Sequence, residues 1–439
     1  MIALPYSRNK RYLTGIDWLV HVLNHMTIKE TGVGFMSQVV IEVAGDVNTF
    51  EIGNALNTFI KKHPIVNGYF SRDINLAPYW KIPPAEKPEI SLDTMTVKEG
   101  ESFDVVIKSL EKGINTLFKN KREHITFHIL TGGGRSYIAM TFDHLLFDAR
   151  NAEAFLNMFQ KEWDGRENFG NMVFTEPAHL SRWMDKFKAG QRVNRAFIKI
   201  AGKATPRVFP LPSGKKGFKF RVLSFGRKET EAIAENAFNE AGYLMFMPYA
   251  LAASVYALHE IFTGRGISSG DYVIPVSIDT RKQEEITKQL FFNHVSFFIF
   301  KAETSDASNF QGLLKSIKEQ MYTQVKSNLP EDICKASLLM RIAPASLLSR
   351  LLKLYFKGEI ASFCFSYVGK TAYSSPYFMG NKITNIFHMP RIPVPPGIGI
   401  FFQQSNEKLN VILSYLDGML SKDEEEIILT SLKSRLGVE

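Results

Sequence analysis

Two hydrophobic periods alternate along this chain. Residues 35–43 (Phe-Met-Ser-Gln-Val-Val-Ile-Glu-Val) are rich in β-branched side chains and predict a strand. Asn48 then offers an N-cap, with Glu51 three residues on as in a capping box. Ile52, Leu56, Phe59 and Ile60 recur at helical spacing and make one apolar face. The His63-Pro64 step ends that helix, because the residue before a proline avoids helical dihedral angles. Short strands are expected near 65–71 and 78–82, a helix over 104–118, and strands over 123–130 and 136–142. Thr131-Gly132-Gly133-Gly134-Arg135 joins the last two. No Gly-Lys-Ser/Thr ending follows it, so it predicts a hairpin turn rather than a phosphate cradle.

A helical pattern resumes over about 180–200 and breaks at Pro206, Pro210, Pro212, Ser213 and Gly214, the expected internal boundary. Beyond it the pattern restarts with a strand at 218–225, helices at 228–240 and 244–262, strands at 271–278 and 294–301, and a helix at 307–326. Strands near 361–367, 381–388, 397–403 and 409–415 lead to a closing helix over about 421–435. Ser421, with Glu424 three residues on, caps that helix. The fold class expected is mixed α/β in two halves: an N-terminal lobe over 1–180, a connector over 181–215 and a C-terminal lobe over 216–439.

Composition narrows this further. An apolar fraction of 45% in 439 residues excludes wholesale disorder. The most apolar stretch, Tyr243 to Leu258, is 16 residues long and contains Pro248, short of the ~20 apolar residues a membrane span needs. It reads as a buried core helix. Two cysteines, Cys334 and Cys364, rule out a disulfide scaffold and fit a reducing compartment. The N-terminus has no apolar run of signal-peptide length, so the expected location is the cytoplasm. The net charge of +9 is local: residues Arg182 to Arg221 hold twelve lysines and arginines against Asp185 alone. Such a patch attracts phosphates, an acidic partner or an anionic membrane surface, or it is simply a solvated connector. No nucleic-acid motif accompanies it.

The sharpest chemistry lies in Thr141-Phe142-Asp143-His144-Leu145-Leu146-Phe147-Asp148. It follows an apolar strand and precedes a helix carrying Ala152, Phe155, Leu156 and Phe159, a corner from which a polar side chain can be aimed into a cleft. His144 there suits a general base near neutral pH, and Asp148 suits a helix cap or a loop anchor. A hydrogen-bonded core histidine beside a capping aspartate fits the same pattern. His21/His25 and His124/His128 share a four-residue spacing, but neither pair has a local Glu-x-x-His pattern or a cysteine partner, so no metal site is expected.

Asp143-His144-Leu-Leu-Phe-Asp148 resembles the HxxxD signature of the chloramphenicol acetyltransferase-like superfamily, which includes condensation domains, BAHD acyltransferases and wax ester synthases. Other stretches resemble the same superfamily in the same order: Ile52 to Phe70, Ile274 to Arg281, Phe292-Asn293-His294-Val295, Phe365 to Gly369, and Leu413 to Asp417. The sequence departs from the condensation-domain pattern at Asp143, where a second histidine is usual, at Ala149 and Phe292, where glycine is usual, and at Tyr367, where asparagine is usual.

The resemblance implies two lobes around a central channel and acyl transfer from a thioester donor, coenzyme A or a carrier protein's phosphopantetheine, to a hydroxyl or amine. His144 would be the base and Asp148 would pair with Arg281. Ser366 or Asn293 would line the channel or meet an oxyanion. Lys215, Lys216 and Lys219 would help draw in an anionic donor. The expected partners are a small-molecule acceptor and an acyl carrier protein, with peripheral membrane contact compatible and no nucleic acid; a monomer suffices and no bound cofactor is required. A non-catalytic binding or scaffolding relative is the alternative.

Overall fold

The computed structural model describes residues 9–83, 90–166, 183–200, 217–267, 270–281, 289–355 and 361–438. Lys215, Lys216 and the proline-glycine cluster of the connector lie outside the described residues. In chain order the first half contains β1 (Lys10–Tyr12), α1 (Gly15–Thr31), β2 (Met36–Ala44), α2 (Thr49–Ile60), β3 (Tyr69–Arg72), β4 (Pro78–Lys81) and β5 (Ser91–Thr96). It continues with α3 (Phe103–Ile114), β6 (Ile125–Gly132), β7 (Arg135–Asp143), α4 (Ala149–Trp163) and α5 (Trp183–Ile200). The second half contains β8 (Phe218–Phe225), α6 (Arg227–Ala241), α7 (Phe246–Gly264), β9 (Asp271–Asp279), β10 (Val295–Glu303), α8 (Phe310–Lys326), α9 (Leu329–Ser337) and α10 (Ala345–Tyr355). It ends with β11 (Cys364–Lys370), β12 (Tyr377–Phe378), β13 (Asn381–Pro390), β14 (Ile398–Ser405), β15 (Lys408–Leu416) and α11 (Lys422–Leu436).

Local chemistry sets many of the boundaries. Asn48 Oδ1 accepts the Glu51 N–H at 3.2 Å and starts α2, but this is half of the expected capping box, since Asn48 lacks the reciprocal bond. Ser421 and Glu424 make the full box on α11. β6 and β7 pair antiparallel from Ile125↔Phe142 to Gly132↔Arg135. The turn between them places Gly132, Gly133 and Gly134 at φ +130°, +67° and +75°, a run of left-handed backbone that side chains resist. The strand expected to begin at 65 opens instead as a 3₁₀ turn, Pro64–Asn67, because Pro64 removes a ladder donor; β3 starts only at Tyr69. Of the apolar segment at 243–258, the residues from Phe246 on belong to α7, whose buried side packs in the core, while Tyr243 and Leu244 precede the helix and are exposed, with Leu244 in left-handed backbone. Among the described residues no single helix is long and apolar enough to cross a membrane.

Among the described residues two six-stranded sheets dominate, ordered β12-β13-β2-β7-β6-β5 and β10-β9-β11-β14-β15-β8. They give the two-lobed mixed α/β architecture, but they do not divide at the connector. Strands β12 and β13, from within 216–439, cross over, and β13 pairs with β2 of the first half (His388↔Val39, Pro390↔Ser37). The crossing is tied down by buried amides: Asn385 and Asn410 exchange reciprocal 3.0 Å hydrogen bonds between β13 and β15. Ser414 donates to the Pro390 carbonyl at 2.8 Å. Helices α1, α5, α9 and α10 close over the seam between the sheets.

Candidate functional site

β7 ends at Asp143 and delivers a five-residue corner, 144–148, to α4. Asp143 is its hinge: one carboxylate oxygen accepts the Leu145 N–H at 2.9 Å and the other meets His124 Nδ1 at 3.0 Å. His124 Nε2 lies 2.9 Å from the Gly68 carbonyl oxygen. Burial alone would raise the Asp143 carboxyl, but the His124 and Leu145 hydrogen bonds outweigh it and hold it below the usual range. The residue that replaces a usual histidine is thus a structural acceptor inside the corner.

His144 follows, half-buried, with its ring stacked on Phe35 at 4.4 Å between centroids. Its backbone N–H donates to the Phe35 carbonyl, and its own carbonyl accepts from Asn293 Nδ2 at 2.9 Å. Its Nδ1 is buried with no hydrogen-bond partner. Burial lowers its pKa, and its own backbone, the carboxylates of Asp148 and Asp143 and the Asn293 side chain pull the other way without overcoming it. The imidazole is therefore neutral at physiological pH, the form that accepts a proton.

Asp148 does not hydrogen-bond to His144. It N-caps α4, with Oδ1 accepting the Asn151 N–H at 2.8 Å, and Oδ2 accepts the His294 N–H at 3.1 Å. Arg281 Nη2 reaches it at 3.1 Å, both side chains being under 5% exposed. Arg281 also forks onto Asp279 with two 3.0 Å contacts and bonds Asn151 Oδ1. Burial opposes the Arg281 charge, but Asp148 and Asp279 outweigh it and hold its pKa above the ordinary value. The ion pair locks the His144 corner of the first half to the segment just after β9 in the second.

Two positions need the tertiary structure to be understood. Phe292 stands where the resemblance expects glycine and adopts φ +73°, the conformation glycine would take freely. Its ring holds the place: the Arg11 guanidinium lies 3.5 Å from the ring centroid and Trp80 meets it edge-on at 5.8 Å. Asp17, in the first turn of α1, was not singled out from sequence. It is fully buried, bonds Arg11 at 2.8 Å, and accepts the Asn293 N–H at 3.0 Å. The Thr14-x-x-Asp17 capping box was its only local signal. Through Asn293 it supports the His144 carbonyl.

A cavity of about 630 Å³ opens from this corner. His144, Asn293, Ser366 and Tyr367 line it, with Leu23, Phe297 and Phe401 among the apolar walls. Ser366 shares a 2.9 Å hydroxyl–hydroxyl hydrogen bond with Ser277 across β11 and β9. Asn293 Nδ2 donates to the His144 carbonyl, which makes it a positioning residue, while its Oδ1 is buried without a hydrogen-bond partner. One face of α5, with Gly190, Val193 and Phe197, also lines the cavity, so the basic segment does adjoin it. Lys219 is not a free cation, however: it pairs with Glu111 at 3.3 Å, and Arg192 and Arg221 are likewise bound to carboxylates. His21 packs against Trp18 and Phe70, His124 bonds Asp143, and His128 lies 3.6 Å from Asp93; among the described residues no group of three or more His, Cys, Asp or Glu side chains could hold a metal ion.

No protein-family model matches the chain, and no curated protein matches it by sequence. Solved structures do. The chain is similar to the first condensation domain of the calcium-dependent antibiotic synthetase, with a TM-score of 0.69, 14% identity, and 98% of this chain and 96% of that one covered. It is similar to the trichothecene 15-O-acetyltransferase from Fusarium sporotrichioides, with a TM-score of 0.70, 12% identity, and 97% and 95% covered. A cyclization-docking bidomain from Sorangium cellulosum aligns at a TM-score of 0.66 with 11% identity, covering 99% of this chain and 85% of that one. The fold is thus that of condensation domains and chloramphenicol acetyltransferase-like enzymes.

Proposed function

We propose that this protein is an acyltransferase moving an acyl group from a thioester donor, acyl-coenzyme A or an acyl carrier protein, to a hydroxyl or amine acceptor. One observation carries the reading. A neutral histidine, His144, sits on an over-determined corner and faces a large apolar cavity at the seam of two lobes. An apolar cavity accepts an acyl chain, and the low dielectric strengthens each polar contact made within it. Fold neighbours that include a condensation domain and an acetyltransferase agree with this chemistry.

In the proposed reaction, His144 removes the acceptor's O–H or N–H proton as that atom attacks the thioester carbonyl. The tetrahedral intermediate collapses, the C–S bond breaks, and the protonated imidazole returns its proton to the departing thiolate. No covalent acyl-enzyme forms. The Ser366 hydroxyl, oriented by Ser277, is a candidate donor to the oxyanion. Asp148 and Arg281 act by position, holding the corner.

A non-catalytic relative would preserve the fold without turnover. Against it stand the intact Asp148–Arg281 lock and the left-handed backbone kept at Phe292 despite its side chain. Thiol release from a panel of acyl-coenzyme A and acyl-carrier thioesters is the test. Turnover that falls about 10²–10⁴-fold in His144→Ala supports the proposal. Full turnover in that variant removes His144 from the mechanism, and no turnover on any donor favours the binding protein. Mass spectrometry of a co-purified acyl ligand would name the chain.

A further inference from the structure

Helix α10 is apolar on two sides. Inward, Leu348 is buried and Leu352 lines the cavity. Outward, Leu347, Leu351 and Leu354 recur at i, i+4 and i+7, so they share one face, and all three are exposed, Leu354 by 76%. A surface helix ordinarily turns a polar face outward. Here exposed Arg350 flanks the leucines, one turn from Leu347 and from Leu354, and the helix contains no acid.

A second apolar element stands beside it. The turn between β3 and β4 carries Ile74 at its tip, 98% exposed, and then exposed Leu76. Leu76 takes left-handed backbone at φ +61°, a conformation easy for glycine and strained for leucine. Asp73 holds the turn, accepting the Asn75 and Ala77 N–H groups and the Tyr12 hydroxyl, each at 2.9 Å. Arg72 ties it to the start of α10, donating to the carbonyls of Leu76, of Ile342 at 3.0 Å and of Ala343 at 3.1 Å. Ile342 is exposed as well.

Apolar residues scattered singly over a surface need no explanation, but a set tied together does. The charge around this set has one sign. Segments 72–77 and 341–354 carry Arg72, Arg341, Arg350 and Lys353 against Asp73 alone. Counting Glu30, which Lys353 meets at 3.1 Å, still leaves a positive surplus. Protruding apolar side chains ringed by cations complement the surface of an anionic bilayer, which takes the side chains below its headgroups and the cations among them.

We infer that the β3–β4 turn and the outer face of α10 form a docking surface for an anionic lipid bilayer. This surface is separate from the basic segment at 182–221, and it stands whether or not the cavity performs acyl transfer. Because Leu352 lines the cavity from the same helix, a single helix, about 10 Å across, would separate bound lipid from the cavity.

Flotation of the whole chain with vesicles of phosphatidylcholine, and of phosphatidylcholine mixed with phosphatidylglycerol, tests the surface. The chain should partition onto the mixed vesicles at least about 10-fold more strongly than onto phosphatidylcholine alone. Changing Leu351→Ser and Leu354→Ser together should weaken partitioning about 10-fold or more. Ile74→Ser, at a fully exposed turn position that cannot disturb the core, should weaken it several-fold and serves if the helix variant folds poorly. Arg350→Glu should lower the preference for the mixed vesicles about 10-fold while leaving partitioning onto phosphatidylcholine within about 2-fold. Vesicle partitioning is read without substrate, so a failed acyl-transfer assay and a failed docking surface are distinguished. Equal partitioning onto the two vesicle types, or partitioning unchanged in both the Ile74 and the leucine variants, overturns the inference. A dimer in solution that the same variants dissolve assigns the face to a second copy of the chain and overturns it equally.

Discussion

Asp148→Ala should destabilise the protein less than Arg281→Ala, and the two losses should not add. Removing the Asp148 carboxylate deletes the N-cap of α4, worth about 1 kcal/mol. It also leaves the His294 N–H without its acceptor and takes one of two carboxylates from Arg281. Arg281 keeps its fork on Asp279, so the guanidinium is not stranded. The cost should therefore fall near the low end of the 3–5 kcal/mol for breaking a buried pair, about 3 kcal/mol. Arg281→Ala instead leaves a buried Asp148 and a half-buried Asp279 without their shared cation, relieved by the 3.3 Å contact of Arg150 with Asp279 and by the N–H groups on Asp148. Its cost should lie near the top of the same range. Asp148→Asn keeps the capping oxygen and should recover about 1 kcal/mol relative to alanine. Urea denaturation of the two single variants and the double variant supplies the cycle, with an expected coupling of about 1–3 kcal/mol. Single losses that sum to the double within about 0.5 kcal/mol would refute the claim that this pair locks the corner.

The depressed pKa of His144 implies a pH profile. Its neutral form persists below the ordinary 6.5, so the acid limb of kcat/KM should turn down below 6.5, not above; an inflection above 7 assigns the base elsewhere. Phe292→Gly should relieve about 1 kcal/mol of left-handed strain yet lose a fully buried ring, for which Phe→Ala truncation costs 3–5 kcal/mol, so chemical denaturation should show a net loss of about 3 kcal/mol. Donor steering should reside in the exposed Lys188, Arg195 and Lys199 of α5 rather than in Lys219, which Glu111 already neutralises. Reversing those three charges should lower kcat/KM and flatten its decline between 0.1 and 1 M salt, while kcat at saturating donor stays within about 2-fold; an unchanged salt slope would return α5 to a solvated surface.

Local pattern was enough for the elements whose signals lie within one turn or one hairpin. The three glycines at 132–134, the caps at Asn48, Asp148 and Ser421, and the apolar period of α2 each act over a few residues, so they are legible without a fold. The corner carrying His144 was legible for the same reason. Helix α1 was not: its buried side includes Asp17, Thr27 and Thr31 and its exposed side includes Ile28, so the polar–apolar rhythm that marks an amphipathic helix is scrambled. Those polar residues are buried because they bond distant partners, Asp17 to Asn293 and Thr31 to Arg391. Arg391 itself, enclosed and held by neutral oxygens, has its pKa lowered to about 9 by burial, and nothing in its neighbours along the chain marks it as interior. Strand β13 reads as a strand from its own residues, but its membership in the first-half sheet depends on Val39 and its neighbours some 350 positions away. That crossing also brings His388 of β13 against Glu153 of α4, which bonds its Nε2 at 3.0 Å. Periodicity and caps report what a segment prefers by itself; which buried carboxylate meets which histidine is decided only when two sheets close over a shared cavity.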